Sequence, residues 1–200
     1  MRMPVPLACA LIAGLAGAAP LHALDVGDAD AVREAYLDHI DADADADPGD
    51  ICVAADPQFP ETAIVAGFAH DRGCMVETIL VDDDWLAPTM ASEPALELAG
   101  WDDADAARRA ELAMAWTRFA VFAFRTAVST ANDDFARPDA PAFTAPTTEP
   151  DGADGVVVTL WVQEEAGMLP ETEYNLWELT FDRDGAMVRI RVLATYVAEY

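Results

Sequence analysis

Hydrophobic and polar residues alternate with a period of two in three segments of the last quarter of the chain. The segments cover residues 156–164, 172–182 and 186–198. This alternation is typical of β-strands that have one face on a core. Asp184-Gly185 lies between the last two segments, and this pair favours a two-residue hairpin turn. The sequence therefore predicts an antiparallel sheet that ends in a tight hairpin.

The predicted turn also sets a register for this closing hairpin, because counting outward pairs each residue with one partner. On the apolar face the expected pairs are Phe181–Val188, Leu179–Ile190 and Trp177–Val192; on the other face they are Thr180–Arg189 and Glu178–Arg191. Arg189 and Arg191 are candidates for ligand binding if their face lines a concave surface. A solvated cross-strand ion pair is the favoured interpretation, because surface pairs on sheets are common.

Apolar residues at helical spacing predict three helices upstream of this sheet. The first covers residues 28–40, with Asp28 or Asp30 as its N-cap. The second is short, with Ser92 as its cap, and ends at Gly100. The third covers roughly 103–131 and is predicted from its length and its Ala-rich composition.

Two further stretches complete the expected organisation. Apolar, β-branched runs flank Asp71-Arg72-Gly73 and predict a small hairpin, with a helix over residues 61–70 as the alternative. A region rich in Pro, Asp and Thr follows the long helix. It is expected to be a surface loop with one short edge strand near Phe143.

The closing stretch "LWELTFDRDGAMVRIRVLATY", residues 176–196, combines an aromatic strand, a DG turn and an Arg-rich strand. In this, and in the order of its predicted elements, the chain resembles the nuclear transport factor 2-like, or SnoaL-like, superfamily. The resemblance implies an α+β cone in which a long central helix packs on a twisted antiparallel sheet. The Asp-His pairs of that superfamily's enzymes have no clear counterpart here.

Residues 1–23 combine Arg2, a short apolar run and small residues near His22, as expected of a secretory signal peptide. Residues 24–200 then form a single α+β domain, and the expected location is the periplasm or the medium. An uncleaved membrane anchor is the alternative, although the apolar run is shorter than the roughly 20 residues that span a bilayer.

The net charge of the chain excludes two classes of binding partner. The chain has 37 acidic residues against 11 Lys and Arg, a formal net charge of −26. Such a protein repels nucleic-acid phosphates and anionic membrane surfaces, so both are excluded as partners. The composition resembles that of proteins from salt-loving organisms, where salt screens this repulsion.

The run "DADADADPGD" at residues 41–50 raises the question of a calcium site. If Asp43 is the first ligand of an EF-hand loop, Pro48 stands where the sharp turn requires Gly. Ala54 stands where a bidentate Glu is required. A solvated acidic loop is therefore favoured, and no metal is expected.

The mature chain contains two cysteines, Cys52 and Cys74. An exported protein with an even number of cysteines is expected to pair them in a disulfide. A nucleophilic thiol beside His39 or His70 is the alternative, but acidic surroundings raise a thiol pKa rather than lower it.

The sequence favours a non-catalytic binding or accessory protein over an enzyme. His39 and His70 are the only mature histidines, and no Gly-x-Ser-x-Gly motif exists. No catalytic residue or cofactor is therefore assigned. A small apolar or amphiphilic ligand is expected between the sheet and the long helix, beside Trp116, Phe119 and Trp177. The favoured interpretation of these three residues, however, is that they fill the core. A secreted interaction or structural subunit without a ligand and a small cone-fold enzyme are the alternative functions.

Overall fold

The computed structural model describes residues 24–40, 51–69, 73–74, 78–121, 126–152, 154–165 and 171–199. This part of the chain holds three α-helices and two antiparallel sheets, so the predicted α+β class is confirmed. The helices are α1 (Ala29–His39), α2 (Pro88–Leu98) and α3 (Ala106–Trp116). The predicted leader and the aspartate run lie outside the described residues.

The first sheet has the strand order β1-β2-β4-β5, with β3 paired to β2. The strands are β1 (Ile51–Ala55), β2 (Thr62–Ala69), β3 (Gly73–Cys74), β4 (Thr78–Val81) and β5 (Asp84–Leu86). The pairing of β2 with β3 and β4 confirms the small hairpin and excludes the alternative helix over 61–70. The turn was predicted at Asp71-Arg72-Gly73; residues 70–72 are outside the described part, and Gly73 begins β3.

The second sheet has the order β10-β9-β8-β6, with β7 paired to β8. The strands are β6 (Thr126–Val128), β7 (Thr147–Asp151), β8 (Gly155–Glu165), β9 (Glu171–Phe181) and β10 (Met187–Glu199). The three long strands begin and end within a residue or two of their predicted bounds, because period-two alternation is a direct consequence of strand geometry.

Helix α1 packs on one face of the first sheet. Asp28 is its N-cap, and its carboxylate accepts hydrogen bonds from the backbone N–H groups of Asp30 and Ala31. Val32 and Tyr36, one helical turn apart, are buried against Ala63 and the strands beside it. The first helix is thus confirmed, with Asp28 rather than Asp30 as the cap.

Helix α2 begins earlier than predicted. Pro88 occupies its first turn, where a missing N–H costs nothing, and Ser92 lies buried inside the helix instead of capping it. The predicted end is confirmed: Gly100 follows the helix with a φ of 89°, and the N–H of Trp101 donates to the carbonyl of Leu96. This is the geometry of a Schellman motif.

The long helix predicted over residues 103–131 is wrong in its second half. Asp105 caps α3, which ends at Trp116 and continues only as a π-helical turn, Thr117–Val121. Thr126–Val128 is a strand, paired with β8. Aromatic and β-branched residues lose side-chain freedom in helices, and a neighbouring strand offered backbone partners that the sequence pattern did not reveal.

The central core lies between the two sheets, with α2 and α3 contributing to it. It combines Ile64 and Ile79 of the first sheet with Val158 and Leu179 of the second, and Trp116 of α3. Both sheets therefore bury one face against the same cluster, which explains why their inward residues alternate so regularly.

The outer face of the second sheet is covered in part by the segment that precedes β7. Phe135 packs edge-on against Trp161 and Tyr174, with ring centroids 5.1 and 5.0 Å apart. Phe143 packs against Phe135 and is not in a strand. The edge strand predicted near Phe143 is instead β7, a few residues later.

Candidate functional site

The turn of the closing hairpin contains three residues, not the two predicted. The N–H of Asp182 donates to the carbonyl of Ala186 over 3.0 Å, and the N–H of Gly185 donates to the carbonyl of Asp182 over 3.2 Å. Gly185 has a φ of 86°, the left-handed conformation that closes a three-residue hairpin loop. The Asp182 carboxylate also accepts from the N–H groups of Asp184 and Ala186.

The extra loop residue places Met187 opposite Phe181, so the predicted pair Phe181–Val188 is wrong. A β-bulge then leaves Val188 out of the pairing and restores the predicted register. The confirmed pairs are Thr180–Arg189, Leu179–Ile190, Glu178–Arg191 and Trp177–Val192. A second irregularity skips Leu193. The extra loop residue and the bulge at Val188 shift the register in opposite directions. Together they preserved most of a register that was derived from the wrong turn.

On the outer face of β10, two arginines share one carboxylate. Arg191 Nε lies 2.9 Å from Glu178 Oε1, and Arg189 lies 3.3 Å from the same oxygen. The arginine side chains are 54% and 55% exposed, whereas Glu178 is 14% exposed. The favoured prediction of a solvated pair is confirmed. Because two guanidinium groups face one carboxylate, the patch carries an excess of one positive charge on a strongly acidic protein.

The inner face of β10 is apolar but incompletely covered. Ile190 and Val192 are 37% and 44% exposed, although both lie opposite buried or half-buried residues of β9. The bulge residues Val188 and Leu193 are also exposed, as is Val197. Among the described residues, five of the eight exposed large hydrophobic side chains belong to this one strand. We call Val188 to Leu193, with Val197, the β10 surface.

The β10 surface coincides with a sheet edge. Within the described part of the chain, β9 is the one strand that pairs with β10, so the backbone groups of the other edge meet no strand. At thirteen residues it is also the longest described strand. An edge of this length with apolar side chains is a template for pairing with another chain.

Other sheet edges in the structure have features that hinder the addition of a strand. Arg33 of α1 donates a hydrogen bond of 3.0 Å to the carbonyl of Ile51 in β1. Strand β7 contains Pro150, which has no N–H to donate, together with acidic residues. Strands β5 and β6 have only three residues each. The contrast identifies β10 as the edge where pairing is least obstructed.

The predicted aromatic residues lie in or against the central core. Trp116 has no exposed surface and packs edge-on against Phe59, while Phe119 stacks on Phe59 at 5.3 Å. Trp177 is half-buried against the same cluster. Arg189 and Arg191 project from the opposite face of the second sheet. The structure therefore does not bring the five candidate residues into one pocket.

A cleft of about 620 Å³ lies between the start of α3 and the β7–β8 hairpin. Small alanine side chains form its α3 side, and Arg109, Glu149 and Asp151 contribute polar groups. None of the predicted candidates lines it. The Arg109 side chain already has local partners: it donates hydrogen bonds to the carbonyls of Trp101 and Asp102 and lies over the Trp101 ring.

The predicted disulfide involves a half-buried residue of β1. Cys52 is disulfide-bonded, and the backbone pairs it with Ala66 of β2. The backbone of Cys74 pairs with Phe68 of the same strand, but the Cys74 side chain lies outside what the structure describes. The specific pairing of Cys52 with Cys74 stays a prediction. His39, proposed as a thiol partner, stacks on Trp85 at 5.1 Å.

The side chains that the structure describes include no group of three or more His, Cys, Asp or Glu that is arranged to hold a metal ion. The aspartate run is not among them. Likewise, none of the described helices is long and apolar enough to cross a membrane.

Sequence reasoning placed β10 correctly but missed its exposure. It treated Val188, Ile190 and Val192 as core residues because alternation gives the face on which a side chain lies and not what covers that face. The sequence did contain one signal of this exposure, namely the position of β10 at the end of the predicted strand order. A strand at that position has one neighbour, and another element must cover its apolar face.

No family model, no curated protein and no solved structure matches the chain. The α+β class and the geometry of the β10 surface are therefore the basis for a functional proposal.

Proposed function

We propose that the protein is exported and acts as a non-catalytic accessory protein that binds a protein partner along the β10 surface. The observation that carries this proposal is the concentration of exposed apolar side chains on one long sheet edge. An extended segment of a partner would add a strand to this edge, so that backbone hydrogen bonds supply affinity and the flanking side chains supply specificity.

The free energy available from burying these apolar side chains favours association with a protein partner. Fully burying one Val, Leu or Ile side chain contributes about 1.5–3 kcal/mol. Val188, Ile190, Val192 and Leu193 are between 37% and 60% exposed, so each retains a substantial part of that contribution for association. A concentration of exposed apolar side chains of this kind is typical of interaction sites on soluble proteins.

A position-specific cross-linking experiment tests the proposal. A photo-reactive amino acid would replace Val188 or Val192 in cells that export the protein, with Met90 of α2, which is 65% exposed, as the control position. We expect the same protein adduct from both β10 positions and none from Met90. Equal adducts at all three positions, or none at all, would contradict a partner at this surface.

A matched pair of substitutions separates the β10 surface from general surface hydrophobicity. Ile190 is 37% exposed on β10, and Leu98 is 40% exposed on α2. With the cross-linker at Val188, Ile190→Asp is expected to abolish the adduct, whereas Leu98→Asp is expected to leave it unchanged.

Export is part of the proposal and rests on the sequence of residues 1–23. N-terminal sequencing of the protein recovered from the periplasm or the medium should give a start near Leu24. A cytoplasmic product that retains Met1 would contradict it.

We also propose that Cys52 and Cys74 are paired with each other in the exported protein. Tryptic mapping without reduction should recover one peptide pair joined by a disulfide that contains both residues. A free thiol at Cys74, found by alkylation of the unfolded but unreduced protein, would contradict that pairing.

The small-ligand hypothesis and the cone-superfamily resemblance stay proposals of lower rank. Trp116 is fully packed in the core, and the observed cleft is lined by none of the predicted ligand residues. Native mass spectrometry of the protein purified from its own host would reveal a co-purifying apolar molecule and would raise the ligand hypothesis above the protein partner.

A further inference from the structure

We infer that the segment accepted by the β10 surface is an extended strand in which acidic side chains alternate with apolar ones. This inference rests on the proposed function, since it names the chemistry of the partner at the same surface. It follows from the side chains that β10 presents on its two faces and from the period of any strand that pairs with it.

The middle of β10 alternates between cationic and apolar residues. Arg189 and Arg191 point to the outer face, where they share Glu178, and Ile190 and Val192 point to the inner face. All four side chains are at least one-third exposed. A strand added to this edge would have its own side chains alternate between the same two faces, since the period of a strand is two.

Residues that lie directly opposite each other in paired strands share a face and interact. On the outer face, an acidic residue of the added strand would meet a guanidinium group that is only partly neutralised by Glu178. A Lys or Arg there would meet a like charge, which is destabilising. On the inner face, an apolar residue would cover Ile190 and Val192. The partner therefore needs acidic residues in phase with the arginines and apolar residues between them.

The bulges narrow the choice of partner further. Irregularities at Val188 and Leu193 divide β10 into two regular stretches, Arg189–Val192 and Ala194–Glu199, and both arginines lie in the first. Bulges and edge charges discourage indiscriminate strand addition. In this protein they set apart a short regular window, Arg189–Val192, whose outer face is positive. That window favours a partner of opposite charge.

A second copy of the chain fits this edge less well. If two β10 strands paired antiparallel about Ile190, Arg189 of each copy would lie opposite Arg191 of the other. Like charges in directly opposed positions are destabilising, and both copies carry the same large negative net charge. An acidic and apolar segment avoids the arginine clash, and its negative charge is confined to the positions beside the arginines.

Two synthetic peptides test the charge requirement with the mature protein. One alternates Val with Glu, and the other alternates Val with Lys, both at a length that spans Arg189–Val192 with a few residues on either side. Binding would be measured by fluorescence anisotropy at about 0.15 M salt, where the Debye length of about 8 Å screens distant acidic residues. We expect the Val-Glu peptide to bind at least fivefold more tightly, and equal or reversed affinities would overturn the inference.

Protein variants locate that preference. Arg191→Gln removes a charge without adding a repulsive one, and Arg191→Glu reverses it. Both substitutions should lower the affinity for the Val-Glu peptide at least threefold, and the charge reversal should raise the affinity for the Val-Lys peptide. Arg108→Gln on α3 is the control, because Arg108 is 47% exposed and pairs with Glu111 in a comparable ion pair. An equal effect of Arg108→Gln would show that only overall charge matters and would overturn the inference.

Hydrogen exchange, cross-linking and sedimentation together distinguish a failure of this inference from a failure of the proposed function. Hydrogen exchange with the Val-Glu peptide bound should slow at amides of β10. If cross-linking finds a partner at Val188 and Val192 while the peptides show no charge preference, the inference fails and the proposed function stands. If sedimentation shows a dimer that Ile190→Asp dissociates, and neither peptide binds, a second copy is the occupant and the inference is wrong.

Discussion

The hydroxyl of Ser92 in α2 accepts a hydrogen bond of 2.8 Å from the backbone N–H of Met187, the first residue of β10. The two residues are 95 positions apart in the chain, and both are buried. This bond satisfies the N–H of Met187 just before the bulge at Val188. It therefore couples the position of α2 to the strand that carries the β10 surface.

Ser92→Ala is expected to destabilise the protein by about 1–3 kcal/mol, because the buried N–H of Met187 would lose its acceptor without access to water. Urea unfolding followed by circular dichroism would measure the change. Ser129→Ala is the control: Ser129 is exposed, and its replacement should change the free energy of unfolding by less than about 0.5 kcal/mol. Equal effects of the two substitutions would show that the Ser92–Met187 bond contributes nothing specific.

Gly185→Ala is expected to destabilise the closing hairpin. Gly185 has a φ of 86°, which costs a residue with a Cβ about 1–2 kcal/mol. The new Cβ would also lie 3.3 Å from the Cβ of Leu96, so α2 would have to yield. Thermal unfolding should show a lower Tm for this variant.

The matched control for that substitution is Gly152→Ala in the β7–β8 turn. A Cβ at Gly152 would have no neighbour within 4 Å, and its φ is outside the left-handed region. Its replacement should leave Tm nearly unchanged or raise it slightly. A similar loss of stability in both variants would argue against strain specific to Gly185.

Arg191→Ala is expected to cost little stability, about 0.2–1 kcal/mol, although the ion pair with Glu178 is only 2.9 Å long. The arginine is 54% exposed, and Arg189 remains beside the same carboxylate. Urea unfolding in low and high salt would test this, because the difference should shrink as salt screens the pair. A loss above 2 kcal/mol would mean that the pair is structural and not a surface feature.

Stability is expected to rise markedly with salt, because a net charge of −26 opposes compaction and salt screens that repulsion. Sodium chloride and potassium chloride should raise Tm alike, and micromolar calcium should add little. A large Tm shift from micromolar calcium alone would point to a specific cation site in the aspartate run.

Some features of this protein followed from the sequence because they depend on local geometry. Alternation with a period of two predicted β8, β9 and β10, and helical spacing with Asp28 as a cap predicted α1. The pairing of Glu178 with Arg191 was also predicted, although from a two-residue turn, and it was preserved because the bulge at Val188 offsets the extra residue of the loop. Each of these inferences needs only neighbouring residues or a single strand pair.

Other features were decided by contacts between distant segments. The stretch after Trp116 was predicted to be helical, yet Thr126–Val128 pairs with β8, which is far away in the sequence. Ser92 has the chemistry of a helix cap, yet it lies inside α2 and binds the strand that begins at Met187. In both cases a distant backbone group supplied a hydrogen bond that local propensity could not anticipate.

The candidate site itself belongs to this second group. The sequence determined that Val188, Ile190 and Val192 are apolar and belong to a strand, and that Arg189 and Arg191 alternate with them. The predicted strand order already put β10 at the end of its sheet, but only the tertiary structure showed that its apolar side chains remain exposed. The exposure of a side chain depends on which other elements pack over it, and that is a property of the whole fold rather than of the strand.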